Sequence, residues 1–77
     1  MIRTYSVALH HHGHIAASRQ TCETPEEALA EHIAQRSPTD GDHEVLVTLD
    51  RVTVLGCIVT LRRGVVQAVT PRHLAAA

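Results

Sequence analysis

The stretch TPEEALAEHI, residues 24–33, predicts one α-helix between two groups of strands, and this division determines the fold. Thr24 suits an N-cap, Pro25 loses no needed N–H in the first turn, and Glu27 completes the spacing of a capping box. One narrow apolar stripe at helical spacing should pack on a sheet, and it consists of Ala28, Leu29, His32 and Ile33. Residues 37–42, SPTDGD, end the helix, because the residue before a proline disfavours the α conformation.

Two strands joined by a tight turn precede the helix. Residues 3–9 alternate between apolar and polar side chains, and residues 15–21 again suit an extended segment. Gly13 can adopt the positive φ that a tight hairpin requires, so we place the turn at His12-Gly13. Strand two should therefore pair antiparallel with strand one.

Three strands follow the helix. Valine, leucine, isoleucine and threonine dominate this region, which favours strands at about 44–50, 53–61 and 65–69. Arg62-Arg63-Gly64 fits a three-residue hairpin loop, and Asp50-Arg51 fits a tight corner. The order ββαβββ predicts a single α+β domain over residues 1–77, with a small antiparallel sheet and one helix packed on one face. The order of the strands within the sheet stays open.

The last three strands carry more apolar side chains than one short helix can cover. Val45, Val47 and Leu49 fall on one side of their strand and Leu46 on the other, and residues 52–61 supply both sides. Burial of both faces requires another layer, most simply a second copy of the sheet. A core of this size also rarely contributes more than about 3–5 kcal/mol to stability. We therefore expect a homodimer.

Composition and termini limit the class of protein. The net charge is −1 with the seven histidines neutral, all seven basic residues are arginine, and Tyr5 is the only aromatic residue. No run approaches the roughly 18 apolar residues of a membrane span, and no signal peptide is evident, so we expect a cytoplasmic protein without a membrane partner. Cys22 and Cys57 form no CxxC motif and should be small buried or half-buried hydrophobes in a reducing compartment, and a disulfide between them is an open alternative that no motif supports.

Residues 10–14, HHHGH, are the most chemically distinctive segment. Across the predicted turn His11 lies opposite His14, with Cβ atoms about 4.5–5.5 Å apart, so these two are the candidate metal ligands. His10 or His12 is an open choice for a third ligand, and zinc usually needs three or four protein ligands. A solvated loop is the favoured interpretation. His32 should be a packed histidine, and His43 and His73 surface residues.

No complete catalytic group of residues is present. Cys22 or Cys57 would need an adjacent histidine and a third orienting group, and no motif indicates one. Ser6 and Ser18 lack the glycine pattern of a nucleophile elbow, and the chain has no glycine-rich phosphate loop. We therefore expect a non-enzyme with no cofactor other than a divalent metal at the histidines.

Arg62 and Arg63 at a predicted hairpin tip are the candidate partner-binding residues, with Arg51 and Arg72 as further cations. Strand pairs of this kind do contact DNA in some proteins. The chain is near neutral overall, however, and one tyrosine cannot form a stacking platform for single-stranded RNA. Nucleic-acid binding is thus an alternative that the sequence does not favour.

The N-terminal part resembles the ββα start of HicB-like antitoxins. The likeness rests on the strand from Tyr5 to Leu9, the glycine turn, the second strand and TPEEAL, and it covers under half of the chain. The glycine- and proline-bearing segment that this family has before its helix is absent. The size and strand order, with the ending VTPRHL at residues 69–74, are similar to those of some small phage-encoded anti-CRISPR proteins. Both resemblances imply regulation by binding and transfer no site residue.

Three hypotheses for function follow from the sequence. The first is a small non-catalytic regulatory module, homodimeric, that binds a protein partner through its hairpin tips and helix. The second is a metal- or pH-responsive protein that uses His11 and His14 with a further histidine. The third is nucleic-acid binding through the hairpin that carries Arg62 and Arg63.

Overall fold

A computed structural model describes residues 1–72 of the chain. Within them the elements follow the order ββαβββ, as the sequence predicts. Their bounds are β1 Arg3–His11, β2 His14–Cys22, α1 Pro25–Arg36, β3 Gly41–Leu49, β4 Val52–Arg62 and β5 Val65–Pro71. No helix of the described part combines the length and apolar character that crossing a bilayer requires.

The five strands form one antiparallel sheet in the order β2-β1-β3-β4-β5. Helix α1 carries the chain from β2, at one edge, to β3 on the other side of β1. Because the strands alternate in direction, one end of the sheet holds the start of α1, the start of β4 and the end of β5. The opposite end holds the histidine turn, the end of α1 and the turn between β4 and β5.

Each hairpin turns through two residues. His12 and Gly13 connect β1 to β2 with φ values of 48° and 78°, which confirms the predicted turn and places His11 opposite His14. The turn between β4 and β5 is Arg63-Gly64, because Arg62 still pairs with Val65 as part of the strands. The predicted three-residue loop at Arg62-Arg63-Gly64 is therefore one residue too long. Positive φ at both positions matches the right-handed twist of the flanking strands.

The helix has the ends that its sequence predicts. Thr24 is the N-cap, and its hydroxyl accepts a hydrogen bond from the backbone N–H of Glu27. At the other end Ser37 adopts a left-handed conformation with φ of 45°, and its N–H donates to the carbonyl of Ile33. Pro38 follows directly and prevents the helix from continuing.

The core lies between the helix and one face of the sheet, which we call the helix face. Alternate residues of the three central strands point into it, and the buried apolar ones are Tyr5, Val7 and Leu9 on β1, Val45 and Val47 on β3, and Cys57, Val59 and Leu61 on β4. Ala28, Leu29 and His32 cover them from α1, and Ile33 is partly buried beside them. The predicted apolar stripe of the helix is thus confirmed.

Candidate interaction surface

Helix α1 covers only part of the helix face. It packs mainly against β2 and β1, and less against β3 and β4. Register shows which strand residues remain uncovered, since Val66 pairs with Leu61 and Val69 with Val59. Both partners belong to the core, so Val66 and Val69 point to the helix face as well, yet they are 41% and 53% exposed.

Further apolar side chains extend this uncovered area. Val52 pairs with Leu49 at the start of β4 and is 62% exposed. Leu55 follows on the same strand and is half-buried against the core. We call the set formed by Val52, Leu55, Val66 and Val69 the β4–β5 face. Scattered surface valines are ordinary, whereas a contiguous apolar patch is typical of a binding surface.

A groove of about 230 Å³ runs between the helix and this face. Its lining is apolar apart from one carboxylate: Leu29, Ala30 and Ile33 come from α1, Leu55, Val59, Val66 and Val69 from the sheet, and Glu26 lies at the helix N-terminus. The groove therefore accepts an apolar side chain and offers it hardly any hydrogen-bonding groups.

The two edges of the sheet are both protected against strand addition. On β2 the Arg36 guanidinium donates to the backbone carbonyl of Ala17, and Arg19 adds a charge within the strand. On β5 an extra residue, Gln67, makes a bulge in the pairing with β4, and Pro71 removes an N–H near the strand end. The structure thus favours the β4–β5 face over either edge as a contact surface.

Charged residues lie at both ends of strands β4 and β5. Glu26 and Glu27 form the acidic first turn of α1, at the end where β4 begins and β5 finishes. Arg62 and Arg63 lie at the other end, both exposed, but Arg62 follows the buried Leu61 on β4 and therefore points to the opposite face of the sheet. Asp40 holds that turn in place, because its carboxylate accepts the backbone N–H groups of Arg63 and Gly64 at 2.8 and 3.1 Å.

These contacts also change the charge balance around the candidate residues Arg62 and Arg63. The two backbone N–H groups, and then the nearby Arg62 guanidinium, hold the pKa of Asp40 below its ordinary value, so the turn keeps a carboxylate beside its arginines. Arg72 is bound to Glu44, and the same contact lowers the pKa of Glu44. This local neutralisation reduces the attraction of the turn for phosphates, and nucleic-acid binding there stays a prediction.

The opposite face of the sheet is largely polar. Thr4 and Thr21 contact each other through their hydroxyls, and Thr60 donates to Asp42. Leu46 and Ile58 lie on this face and are half-buried by neighbouring side chains. An antiparallel sheet of this kind can expose one face to water. The predicted covering layer is therefore not required on this face.

The histidines of the turn lie close to His43, which the sequence analysis predicted to be a surface residue. His43 is 4% exposed, because β3 begins at Gly41 instead of residue 44 and so directs His43 to the helix face with Val45. Its Nε2 donates to the carbonyl of Thr39 at 2.6 Å. The prediction of a surface position for His43 is wrong, and His73 lies outside the described residues.

The His11 ring packs on the ring of His43. The two rings stack with centroids 4.2 Å apart, and His11 Nδ1 donates to the carbonyl of Asp42 at 2.8 Å. Gly41 makes this packing possible, since a Cβ at that position would lie 3.0 Å from Cε1 of His11. His14 and His43 line a pocket of about 270 Å³ together with His11.

The stacking of His11 on His43 affects the proposed metal site at His11 and His14. Stacked rings direct their in-plane lone pairs side by side, whereas a metal ion needs lone pairs that converge. No group of three histidine, cysteine, aspartate or glutamate side chains able to hold a metal ion occurs in residues 1–72. The assignment of His11 and His14 as metal ligands stays a prediction.

A second polar cluster joins the helix to β2. Ser18 Oγ lies 2.5 Å from His32 Nδ1 and accepts a hydrogen bond from Gln20. Gln20 and Gln35 exchange two side-chain hydrogen bonds of 3.0 and 3.3 Å. His32 is fully buried, and burial, with a contribution from Arg36, lowers its pKa.

The distance between Ser18 and His32 is like that between a catalytic nucleophile and its base, but the pair shares no other feature of such a site. A catalytic base is held by a third group, and the other ring nitrogen of His32 has no hydrogen-bond partner within the described part of the chain. His32 is also closed to solvent. The cluster therefore anchors the helix.

Both cysteines are free and buried, as the sequence predicts. Burial raises the pKa of each thiol, and Glu31 and Glu27 raise that of Cys22 further. A raised pKa leaves little thiolate near neutral pH, so neither group is activated as a nucleophile.

Comparison with known proteins gives no relative. No family model matches the chain, and neither the curated proteins nor the solved structures contain a significant match. The likeness to HicB-like antitoxins thus remains one of the ββα start with TPEEAL, and that to anti-CRISPR proteins one of size and strand order. The functional argument rests on the surface itself.

Sequence reasoning missed the residues that shape this surface. Gln20, Gln35 and Ser18 join the helix to β2 by side-chain hydrogen bonds, and they share no sequence motif. Asp40 binds the turn at Arg63 from 23 residues away. Only the uncharged, valine-rich sequence of β5 could have indicated an apolar surface there.

Proposed function

We propose that the protein is a small non-catalytic interaction module that binds a protein partner through its β4–β5 face. The observation that supports this most strongly is the exposure of Val66 and Val69 on the same face as the core, above an apolar groove. Apolar side chains at the centre of a patch and charges at its margin are the usual arrangement of a protein-binding surface.

The described side chains support binding more than catalysis. In the one close pair of a hydroxyl and an imidazole, Ser18 with His32, the imidazole is closed to solvent, and both thiols are buried with raised pKa values. A module of this size can regulate a larger protein by covering part of its surface. Two buried, unpaired thiols fit a reducing compartment, so we place this action in the cytoplasm.

Site-specific photo-crosslinking tests the proposal. The photoreactive amino acid p-benzoylphenylalanine replaces Val69 in one variant and Ile15 in a matched control. Ile15 is apolar and 65% exposed, compared with 53% for Val69, but it lies on β2 at the other edge of the sheet. Each variant is irradiated in the cells that naturally encode the chain, and adducts are separated by mass.

We expect protein adducts from position 69 and few or none from position 15. Adducts of equal yield from the two positions would contradict the proposal, and so would their absence from position 69. The mass of each adduct distinguishes a different protein from another copy of the chain.

A further inference from the structure

We infer that the pocket of about 270 Å³ beside the histidine turn binds a small organic carboxylate with an apolar body. We call it the histidine pocket. It lies at the C-terminal end of α1, and none of its lining residues belongs to the β4–β5 face. The site is therefore separate from the proposed protein-binding surface. Pockets that hold small molecules are mostly apolar and carry a few polar groups that orient the ligand.

The inner part of the histidine pocket is apolar. Leu9 on β1 lines it and is 2% exposed. Ala16 on β2 and Pro38 after the helix add further apolar lining. Ala16 pairs with Leu9 and shares its face of the sheet, yet it is exposed. Apolar surface at this end of the helix face is thus open to a ligand.

Two hydrogen bonds hold the walls of the pocket in place. His11 Nδ1 donates to the carbonyl of Asp42, His43 Nε2 donates to the carbonyl of Thr39, and the two imidazole rings stack. These contacts join the histidine turn to the segment that follows the helix. A pocket whose walls are already ordered binds a ligand at a lower cost in conformational entropy. His43 Nδ1 has no hydrogen-bond partner in residues 1–72 but is closed to solvent, so it is not available to a ligand.

The rim of the pocket supplies hydrogen-bond donors. Arg36 is exposed, and its guanidinium donates to the backbone carbonyl of Ala17. It has no carboxylate partner within residues 1–72. A guanidinium carries five N–H donors, so most of those of Arg36 remain for the two oxygens of a carboxylate. The exposed ring of His14 carries an N–H even when it is neutral.

The charges around the pocket favour an anionic head group. No carboxylate of the described part of the chain lines it. The acidic residues closest along the chain bind elsewhere: Asp40 accepts from the turn between β4 and β5, Asp42 accepts the hydroxyl of Thr60, and Glu44 pairs with Arg72. The fixed charge at the pocket is therefore positive. An apolar interior with a cation at its rim complements a ligand that has an apolar body and a carboxylate.

Three ligands with one body and different head groups test this inference. 3-Phenylpropionate, 3-phenyl-1-propanol and 3-phenylpropylamine share a phenyl ring and a three-carbon chain, and their heads are anionic, neutral and cationic. Each is titrated into the whole chain, and the shifts of the backbone amide NMR signals give both the Kd and the place of binding.

We expect 3-phenylpropionate to bind with a Kd of about 1 mM, at least about tenfold more tightly than the alcohol or the amine. Its shifts should be concentrated in residues 9–16 and 36–43, which line the pocket. Binding of the alcohol or the amine as tight as that of the acid would overturn the inference. Lack of saturable binding of the acid up to about 10 mM would do so as well.

A pair of neighbouring alanines tests the place of binding. Ala16→Phe fills the pocket, whereas Ala17→Phe adds the same ring at the next exposed position of β2, on the opposite face of the sheet. Circular dichroism shows that each variant is folded. Ala16→Phe should raise the Kd of 3-phenylpropionate at least about tenfold, and Ala17→Phe should leave it unchanged. Equal affinities of the two variants would contradict binding in this pocket.

Substitutions of arginine test the recognition of the carboxylate. Arg36→Gln removes the charge at the rim and should raise the Kd of 3-phenylpropionate about tenfold. Arg19→Gln, at an exposed arginine of β2 outside the pocket, is the control and should bind like wild type. Arg36→Lys keeps the charge and should bind the acid more tightly than Arg36→Gln. An affinity unchanged by Arg36→Gln, or lost equally in Arg36→Lys, would overturn the role of this charge.

Discussion

At the scale of single residues, His32 shows how one side chain combines packing with titration. Its position in the apolar stripe indicates burial, and the structure confirms this. The sequence does not indicate its partner Ser18, which lies 14 residues away on another element. Burial and the Arg36 charge both disfavour the imidazolium, so the folded protein favours the neutral ring.

This preference predicts a dependence of stability on pH. The pKa of His32 in the folded state lies below the ordinary value of 6.5, so the unfolded chain binds the proton first as pH falls. The contribution of His32 is therefore full above about pH 6.5 and decreases below it. We expect a free energy of unfolding that falls between about pH 7.5 and pH 5.5, measured by urea denaturation.

His32→Gln removes the titrating group and should make this fall shallower. Ile15→Gln, at an exposed position on β2 that carries no titratable group, is the control and should keep the slope of wild type. A wild-type slope in His32→Gln would show that other groups cause the dependence.

At the scale of elements, the helix and the turns were predictable because their signals are local. Thr24 and Pro25 define the helix start, and Gly13 and Gly64 supply positive φ in two of the turns. The bounds of β3 were predicted less well. Gly41-Asp42-His43 has a turn-like sequence, but pairing with β4 extends the strand through it.

The N-cap gives a direct test of helix stability. Thr24→Ala removes the acceptor of the Glu27 N–H and should lower the free energy of unfolding by about 0.5–2 kcal/mol. Thr24→Ser keeps a hydroxyl and should remain close to wild type. Equal losses for alanine and serine in thermal unfolding would show that the methyl group, and not the cap, matters.

At the scale of the whole molecule, only one face of the sheet holds the core. Leu9 on the helix face is 2% exposed, whereas Leu46 on the opposite face is half-buried. Both leucines lie on central strands, so the same substitution compares the two faces. The last three strands carry more apolar side chains than the helix covers. The uncovered ones lie mainly on β4 and β5, on the same face of the sheet as the helix.

Leu9→Ala should cost about 2–5 kcal/mol, because it leaves a cavity between helix and sheet. Leu46→Ala should cost at most about half as much, since its side chain already meets solvent. Denaturant unfolding of the two variants measures both losses. Equal and large losses would mean that the opposite face is buried in solution and would place a partner there.

The sequence by itself determined the element order, the helix with its cap, the histidine turn and the alternation that puts Val7, Leu9 and Val45 on the core side. These features depend on residues close together in the chain, so local conformational preference and periodicity encode them. Only the tertiary structure decided the strand order, the burial of His43, the stacking of His11 on it and the uncovered β4–β5 face. Each of these depends on pairing between distant strands and on where the helix settles across the sheet, and short apolar strands do not specify their neighbours.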